Sequence, residues 1–273
     1  MKGTCTFSRL GRFGRFANQL YQIAGTVGIA RRNEFGYGFP EWRNHDALNF
    51  GQEDLDVQAA FVNPLPRYDG PPLPECGIPF GYEDVNLPCS VDLLGHFQSE
   101  RFFSHCLEEV RWLFTMHGEL PMNDLCAVHV RLGDYGPQAS PQHPDGNSYH
   151  PRMDRNYLEP AMALFGSTQK FLVFSDGIDE CKATLGVGGN VTYSEGLNYL
   201  DDFRLLKSCR HFIISNSSFS AIAAVLGEAP DKQVVAPEPW FGGPYTGRMN
   251  SEDIYSAGWH VINYQTGAQR IKA

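Results

Sequence analysis

Short apolar runs that alternate with helical patterns fill the second half of the chain and most constrain its fold. Each run is typical of a strand buried on both faces of a sheet. The runs are "LCAVHV" (Leu125–Val130), "FLVF" (Phe171–Phe174), "HFIIS" (His211–Ser215) and "QVVAP" (Gln233–Pro237). Apolar residues at helical spacing lie between them, over Arg155–Phe165, Leu200–Cys209 and Phe219–Leu226. This alternation predicts an α/β fold with a parallel, doubly wound sheet.

The first half begins in the same way and then becomes irregular. "TCTF" predicts a strand at Thr4–Phe7, and apolar residues at helical spacing follow it. A proline-rich connection covers residues 40–88. "VDLLGHF" then predicts a strand, and Ser99–Phe114 an amphipathic helix capped by Ser99. A boundary near Pro121–Asp124 therefore predicts two α/β domains, residues 1–122 and 123–273, with a functional cleft between them.

Composition excludes several classes of protein. The chain has 273 residues, 42% of them hydrophobic, which is enough for the core of one or two domains. A net charge of −9 argues against binding nucleic acid through a general basic surface. No apolar run approaches the roughly 18–20 residues that cross a bilayer, and no signal-peptide core is present. With seven scattered cysteines and no CxxC pair, we expect a soluble, cytoplasmic protein with reduced thiols.

The motif "HVRLGDY" offers charge chemistry at the end of a predicted strand. His129 and Arg131 are two residues apart, so on a strand they project to the same face. They also lie at the carboxyl end, where open α/β sheets bind ligands. The planar fork of an arginine suits phosphate oxygens. A structural ion pair and a buried histidine are the alternative interpretation.

The stretch "ISNSSFSAIAAVLG" offers a second anion site. A strand ends there and a helix begins, so the backbone N–H groups at the helix start, with the serine hydroxyls, can bind an anion. The residues concerned are Asn216, Ser217, Ser218 and Phe219. An ordinary helix cap by Asn216 or Ser217 is the alternative. Two strand ends of one sheet, one with an arginine and one with a helix start, favour a shared pyrophosphate.

Two carboxylates are further candidate site residues. Asp202 could accept the paired N–H donors of guanine, or it could be an ordinary acid in the first turn of a helix. Asp176, in "VFSDG", lies at a third strand end. Asp176 and Asp179 do not form a convincing metal site, and no His/Cys/Asp cluster has ligand spacing elsewhere. We therefore expect a metal-independent mechanism, in which an arginine stabilises the negative charge that a metal cation would otherwise stabilise.

In order along the chain, these motifs resemble those of a known family. "HVRLGDY", "VFSDG", "YLDDFRLLKSCRHFIISNSSFS" and "VVAPEPWF…DIYSAGWHVI" resemble the motif set of the α-1,2-fucosyltransferases of glycosyltransferase family 11. They are more distantly similar to the wider α-1,2/α-1,6/protein O-fucosyltransferase group. "GRFANQLYQIA" is similar to the family signature G-G-L-G-N-Q-[ML]-[FG]-Q-Y-A. The matches run from Gly14 to Trp259.

The resemblance implies a fold, a reaction and a donor site. The fold is GT-B, with two Rossmann-like domains facing across a cleft, the first on the acceptor side and the second binding the GDP-sugar. The reaction is inverting transfer of L-fucose from GDP-β-L-fucose to a galactosyl-type glycan, forming an α-1,2 linkage without a metal. The implied donor-site residues are Arg131 at the pyrophosphate, His129 and Asp202 at guanine, and Asp176, Asn216, Ser217, Ser218 and Phe219 around them.

The sequence departs from the family pattern at a few positions. Leu132 replaces the second of two adjacent arginines, and Ala17 replaces a glycine. Ala221 and Ile222 stand where the family often has tryptophans. These departures bear on the choice of acceptor more than on donor chemistry.

The acceptor side is less defined. Gly11 and Gly14 lack the spacing of a dinucleotide loop, so the "ANQ" that follows them is the more informative part. Asn18 and Gln19 could face the cleft and bind fucose or the acceptor, or they could only cap and pack the helix. Asp134 could act as general base, or it could hold the glycine turn. His143, Asp145 and His150 lie in a segment that could cover the acceptor.

Other functions stay open on sequence grounds. The chain could use another GDP-sugar or form another fucose linkage on the same scaffold. It could also be a non-catalytic module that binds a GDP-sugar or a glycan. A dinucleotide oxidoreductase is disfavoured, because no GxGxxG with a downstream acid follows the first strand. The acceptor and the oligomeric state are not determined by the sequence.

Overall fold

The computed structural model describes residues 3–47, 65–116, 118–136 and 149–273. His143 and Asp145 lie outside these ranges. The chain divides into two compact units, Met1–Glu119 and Leu120–Ala273. Each unit combines a largely parallel sheet with α-helices, which confirms the predicted α/β class. Among the described helices, none combines the length and the apolar character needed to cross a membrane.

The first unit contains a four-stranded parallel sheet. Its strands are β1 (Thr4–Thr6), β2 (Gly36–Gly38), β3 (Glu75–Gly77) and β4 (Val91–Leu94), in the spatial order β2-β1-β4-β3. Its helices are α1 (Phe16–Arg32) and α2 (Leu107–Leu113). The chain leaves β1 toward β2 and later returns on the other side to β4. The loops after β1 and β4 therefore lie at the point where the strand order reverses.

Helix α1 is buried along most of its length, and two of its glycines bring another segment close. A Cβ added to Gly25 would lie 2.4 Å from Cβ of Phe97. One added to Gly28 would lie 2.1 Å from the backbone oxygen of Phe102. These glycines, three residues apart, lie on one face of the helix. They allow the segment after β4 to pack directly on the helix backbone.

The predicted continuous helix Ser99–Phe114 is wrong. Ser99 does act as a cap, since its hydroxyl accepts a hydrogen bond from the Arg101 nitrogen at 3.3 Å. Only short 3₁₀ turns follow it, and α2 begins at Leu107. Phe102 and Phe103 are both buried, and their backbone packs directly against Gly28 of α1. Packing of this segment against α1 therefore overrides its helical periodicity.

The second unit contains a seven-stranded sheet. Its strands are β5 (Asn123–Val130), β6 (Phe171–Ser175), β7 (Val191–Tyr193), β8 (Cys209–Ile213), β9 (Val234–Glu238), β10 (His260–Asn263) and β11 (Gln269–Ile271). Its helices are α3 (Arg155–Ala163), α4 (Ile178–Leu185), α5 (Tyr199–Lys207) and α6 (Ser218–Leu226). The order is β11-β10-β9-β8-β5-β6-β7, and only the β10–β11 pair is antiparallel.

The predicted elements of this half are confirmed, with ends that differ by no more than two residues. Strands β7, β10 and β11, of three or four residues each, were not predicted. The chain runs from β5 outward through β6 to β7. It then crosses to β8 on the other side of β5. The strand order therefore reverses between β5 and β8, where sheets of this kind bind ligands.

The side chains of β5 alternate between two environments. Cys126, Val128 and Val130 belong to the apolar core, together with Tyr157 of α3. His129 points to the opposite face, where its ring lies 2.9 Å from the hydroxyl of Ser220 in α6. One strand thus supplies a core face and, on its other face, a histidine directed toward α6.

Candidate functional site

His129 is held in a buried polar contact at the carboxyl end of β5. Its Nδ1 lies 3.0 Å from Ser215 Oγ and 2.9 Å from Ser220 Oγ, and the residue is only 6% exposed. Burial, and then the positive charge of Arg131, lower the pKa of His129 to about 4. The imidazole is therefore neutral near pH 7, and the two hydroxyls fix its orientation.

An aromatic contact extends from His129 toward α5. The ring of Phe219 lies 5.5 Å from the ring of His129 and 5.3 Å from that of Phe203. Phe203 is fully buried on α5, next to Asp202. One row of rings thus links His129 of β5 to α6 and α5.

The start of α6 has the geometry of a capped helix. Ser217 is the N-cap, and its Oγ accepts a hydrogen bond from the Phe219 nitrogen at 3.4 Å. Asn216 is buried and donates through Nδ2 to the backbone oxygen of Trp240 at 3.1 Å. Ser218 and Phe219 are partly exposed. The cap expected as an alternative is therefore present, and the N–H groups at the helix start face the carboxyl edge of the sheet.

Tyr135 joins the two loops that meet where the strand order reverses. Its hydroxyl donates a hydrogen bond to the backbone oxygen of Asn216 at 3.1 Å. The guanidinium carbon of Arg131 lies 5.7 Å from the centre of the Tyr135 ring, as in a cation–π contact. The loop after β5 and the loop after β8 are thus connected within one unit.

Arg131 forms ion pairs with two carboxylates. Its Nη2 lies 2.6 Å from Oδ1 of Asp134, and its Nη1 lies 2.8 Å from Oδ2 of Asp176. The Arg131 side chain is 22% exposed, so part of it still faces solvent. The structural ion pair that the sequence left open therefore exists, and it contains both acids.

Asp176 also holds the backbone of the loop after β5. Its carboxylate accepts hydrogen bonds from the nitrogens of Leu132 and Gly133, at 2.8 and 2.9 Å. With Arg131, this single side chain accepts from three consecutive residues. We therefore place Asp176 beneath the loop, where it orients Arg131.

Leu132 belongs to the apolar core, where it is 6% exposed. A Cβ added to Gly177 would lie 2.8 Å from its Cδ1, which shows how closely the two residues pack. This position, where the family has a second arginine, directs its side chain to the core in this chain and supplies no cation to the site.

Asp202 is half-buried on α5, close to the end of β7. Its Oδ1 accepts a hydrogen bond from the Ser194 hydroxyl at 2.6 Å. Burial raises the pKa of Asp202 above its usual value, and the hydrogen bond from Ser194 opposes that shift. A partly desolvated carboxylate of this kind gains from a ligand that offers N–H donors.

The predicted acceptor-side residues lie in the first unit, in the turn that opens α1. Asn18 accepts a hydrogen bond from Nε2 of Gln98 at 2.7 Å, which joins the loops after β1 and β4. Gln19 is 1% exposed; it donates to the Gly14 oxygen at 2.8 Å and accepts from Nε1 of Trp42 at 2.7 Å. These contacts give Gln19 a structural role, because both amide atoms have partners within the unit.

Sequence reasoning missed the hydroxyl residues that support the site. Ser215 and Ser220 hold His129, and Ser194 holds Asp202. Ser215 and Ser220 flank the predicted helix start, so their position in the sequence could have identified them as site residues. Ser194 follows β7, a strand that was not predicted. No group of three or more His, Cys, Asp or Glu side chains that could hold a metal ion occurs among the described residues.

Comparisons with known proteins give relatives for part of the chain. An alpha-1,2-colitosyltransferase of Escherichia coli is 29% identical over 168 residues, which cover 56% of this chain and 57% of that protein. The human galactoside alpha-(1,2)-fucosyltransferase 1 is 31% identical over 170 residues, 53% of this chain and 45% of that protein. The chain thus spans about half the length of these curated relatives.

A solved structure and a family model also match. The crystal structure of the fucosyltransferase NodZ from Bradyrhizobium is similar at a TM-score of 0.48, with 13% identity, over 83% of this chain and 94% of that chain. The model of glycosyl transferase family 11 matches residues 82–263. Because this match covers well over half of the chain, the protein belongs to glycosyl transferase family 11.

Proposed function

We propose that this protein transfers L-fucose from GDP-β-L-fucose, with inversion, to a hydroxyl of a galactosyl-type glycan, forming an α-1,2 linkage. One observation carries the proposal. The loop with Arg131 and the start of α6 at Ser217 are joined by Tyr135 where the strand order reverses. Family membership and the human relative at 31% identity support the choice of sugar and linkage.

In this proposal the pyrophosphate binds at Arg131 and the start of α6. Inverting transfer breaks the bond between the anomeric carbon and the β-phosphate, so negative charge grows on the departing GDP. A guanidinium and the N–H groups of a helix start are donors that are already oriented toward this charge. No metal is needed for this part of the mechanism. The second unit is therefore the proposed donor side.

The nucleoside would be recognised by hydrogen bonds to guanine. The Asp202 carboxylate can accept from N1–H and N2–H together, an arrangement that adenine does not offer. His129, kept neutral by burial, can contribute a hydrogen bond from a fixed ring. The Phe219 ring packs against both the His129 ring and the Phe203 ring of α5.

The proposal assigns fewer residues to the acceptor side than to the donor side. Asn18, in the first unit, is the proposed contact to fucose or to the acceptor. Asp134 is assigned to its ion pair with Arg131 rather than to the role of general base. An Asp134→Asn variant with substantial transfer activity is expected, whereas complete loss of turnover with normal donor binding would restore Asp134 as the base.

One specific observation supports an alternative donor. The Escherichia coli relative is an alpha-1,2-colitosyltransferase, which makes a colitosyl group an alternative to fucose. Colitose is the 3-deoxy counterpart of fucose, so both sugars could use the same pyrophosphate and guanine contacts. The alternative is preferred if transfer is faster from GDP-colitose than from GDP-fucose.

The experiment has two stages. Calorimetry should show binding of GDP and much weaker binding of UDP and ADP. Transfer from GDP-fucose is then measured against a panel of galactosyl glycans, and the linkage of the product is determined by NMR. Binding of UDP in preference to GDP would contradict the donor. Binding of GDP-fucose with neither transfer nor hydrolysis on any glycan would instead indicate a non-catalytic binding module.

A further inference from the structure

Two carboxylates on one guanidinium create an electrostatic problem at the proposed pyrophosphate site. Arg131 contributes one positive charge, and its partners Asp134 and Asp176 contribute two negative charges. The buried Leu132 adds no charge, and His129 is neutral near pH 7. The pyrophosphate of a nucleotide sugar brings two more negative charges. It would therefore approach a group of three side chains whose sum is already negative.

The two carboxylates are held in different ways. Asp176 follows β6 and accepts hydrogen bonds from the nitrogens of Leu132 and Gly133 as well as from Arg131. Moving it would leave two backbone N–H groups without this acceptor, which is costly. Asp134 lies on the same loop as Arg131, three residues further on, and its side chain is 36% exposed. Its ion pair with Arg131 is partly buried and borders solvent, whereas the contacts of Asp176 include two backbone N–H groups.

We propose that Asp134 is a displaceable counter-ion: it pairs with Arg131 in the empty site and leaves when the pyrophosphate binds, while Asp176 stays as the positioning residue. The inference rests on the proposed function, because it requires a pyrophosphate at Arg131. The phosphate oxygens then take the place of Asp134 on Nη2, and Nη1 remains on Asp176. Arg131 is thus kept in position in the empty site without being permanently neutralised.

The two acids should therefore have opposite effects on GDP affinity. Removing the charge of Asp134 removes a competitor of the pyrophosphate, so Asp134→Asn should bind GDP about five- to tenfold more tightly. Removing the charge of Asp176 loosens the loop and the guanidinium, so Asp176→Asn should bind GDP about tenfold or more weakly. If both acids were simply structural, both substitutions would weaken binding.

The chain offers a matched control for charge. Arg210 also pairs with two carboxylates, Asp124 and Asp231. Asp124 and Arg210 lie at the amino ends of β5 and β8, the edge of the sheet opposite the proposed site. Asp124→Asn makes the same change in net charge, and it should leave GDP affinity unchanged.

The experiment is a calorimetric titration of GDP into the full chain and the three variants, each checked for folding by thermal unfolding. Failure of the wild-type chain to bind GDP would refute the proposed function. Binding by the wild type, with equal or weaker binding by Asp134→Asn, would refute only the displacement. If Asp124→Asn also bound GDP more tightly, the effect would follow from net charge alone, and the inference would be overturned.

A second measurement keeps the inference testable if the Asp134 variant does not fold. In a crystal structure of the wild-type chain with GDP, the distance from Arg131 Nη2 to Asp134 should exceed the 4 Å limit of an ion pair. The contacts of Asp176 with Arg131, Leu132 and Gly133 should persist. An intact Arg131–Asp134 pair beside bound GDP would overturn the displacement.

Discussion

The carboxylate of Asp176 lies against the backbone of Gly133, 2.9 Å from its nitrogen, with no room for a side chain between them. A Cβ added to Gly133 would lie 2.3 Å from Asp176 Oδ2. The same carboxylate contacts Arg131 at 2.8 Å. The glycine of "HVRLGDY" is therefore required by the acid that positions the arginine.

We predict that Gly133→Ala disables the site while the unit still folds. The added methyl group displaces Asp176, so Arg131 loses its fixed position, and transfer should fall at least about 100-fold. Overpacking of this kind costs about 1–3 kcal/mol in unfolding free energy. The measurements are kcat with GDP-fucose and a urea unfolding curve. Gly77→Ala is the control, because its Cβ would meet nothing within 4 Å, and near-normal transfer by Gly133→Ala would contradict the prediction.

Arg131→Lys should fold normally and transfer poorly. Lysine keeps the positive charge beside Asp134 and Asp176, but it lacks the planar fork that can hold Asp176 and a phosphate at once. Loss of one oriented donor costs on the order of 10²–10³ in kcat. Steady-state kinetics of the purified variant, with circular dichroism as the folding control, test this. Wild-type turnover would remove Arg131 from the mechanism.

His129 should make the fold less stable in mild acid. Its pKa is about 4 in the folded chain and 6.5 in the unfolded chain, so protonation favours unfolding as the pH falls below 6.5, and the loss is complete below pH 4. This group alone should cost the wild type about 2 kcal/mol between pH 7 and pH 5. His129→Asn cannot titrate there and should lose less over the same interval. Urea unfolding at both pH values measures the difference, and identical losses would refute the assignment.

Asp202→Asn should weaken GDP binding without lowering the stability of the fold. Burial raises the pKa of Asp202, so the stability that its protonated form contributes is lost as the pH rises through that pKa. The neutral variant should therefore be at least as stable as the wild type at pH 7. Its amide cannot accept two N–H donors from guanine, so GDP affinity should fall about tenfold or more.

The proposed guanine contact of Asp202 has its own control ligand. Inosine diphosphate lacks the 2-amino group of GDP, so the wild type should prefer GDP and Asp202→Asn should lose that preference. Calorimetry with both nucleotides measures the two affinities. An unchanged preference in the variant would place guanine elsewhere.

The sequence by itself determined the elements of the second unit and the types of group at their ends. Periodicity located β5, β6, β8 and β9 and the helices α3, α5 and α6 to within two residues. It also placed Arg131 just after β5 and Ser217 at the start of α6. Hydrophobic spacing and helix capping are local properties, so neighbouring residues suffice to reveal them.

Only the tertiary structure decided which groups meet. Asp176 reaches the loop of Arg131 from a strand end 43 to 45 residues away, and Ser220 reaches His129 across 91 residues. These contacts depend on strand order, because β5 lies between β6 and β8 in the sheet. The broken helix after Ser99 has a similar cause, since close packing on Gly28 outweighs local periodicity. Local sequence sets the elements, and long-range packing decides how each charged or polar side chain is used.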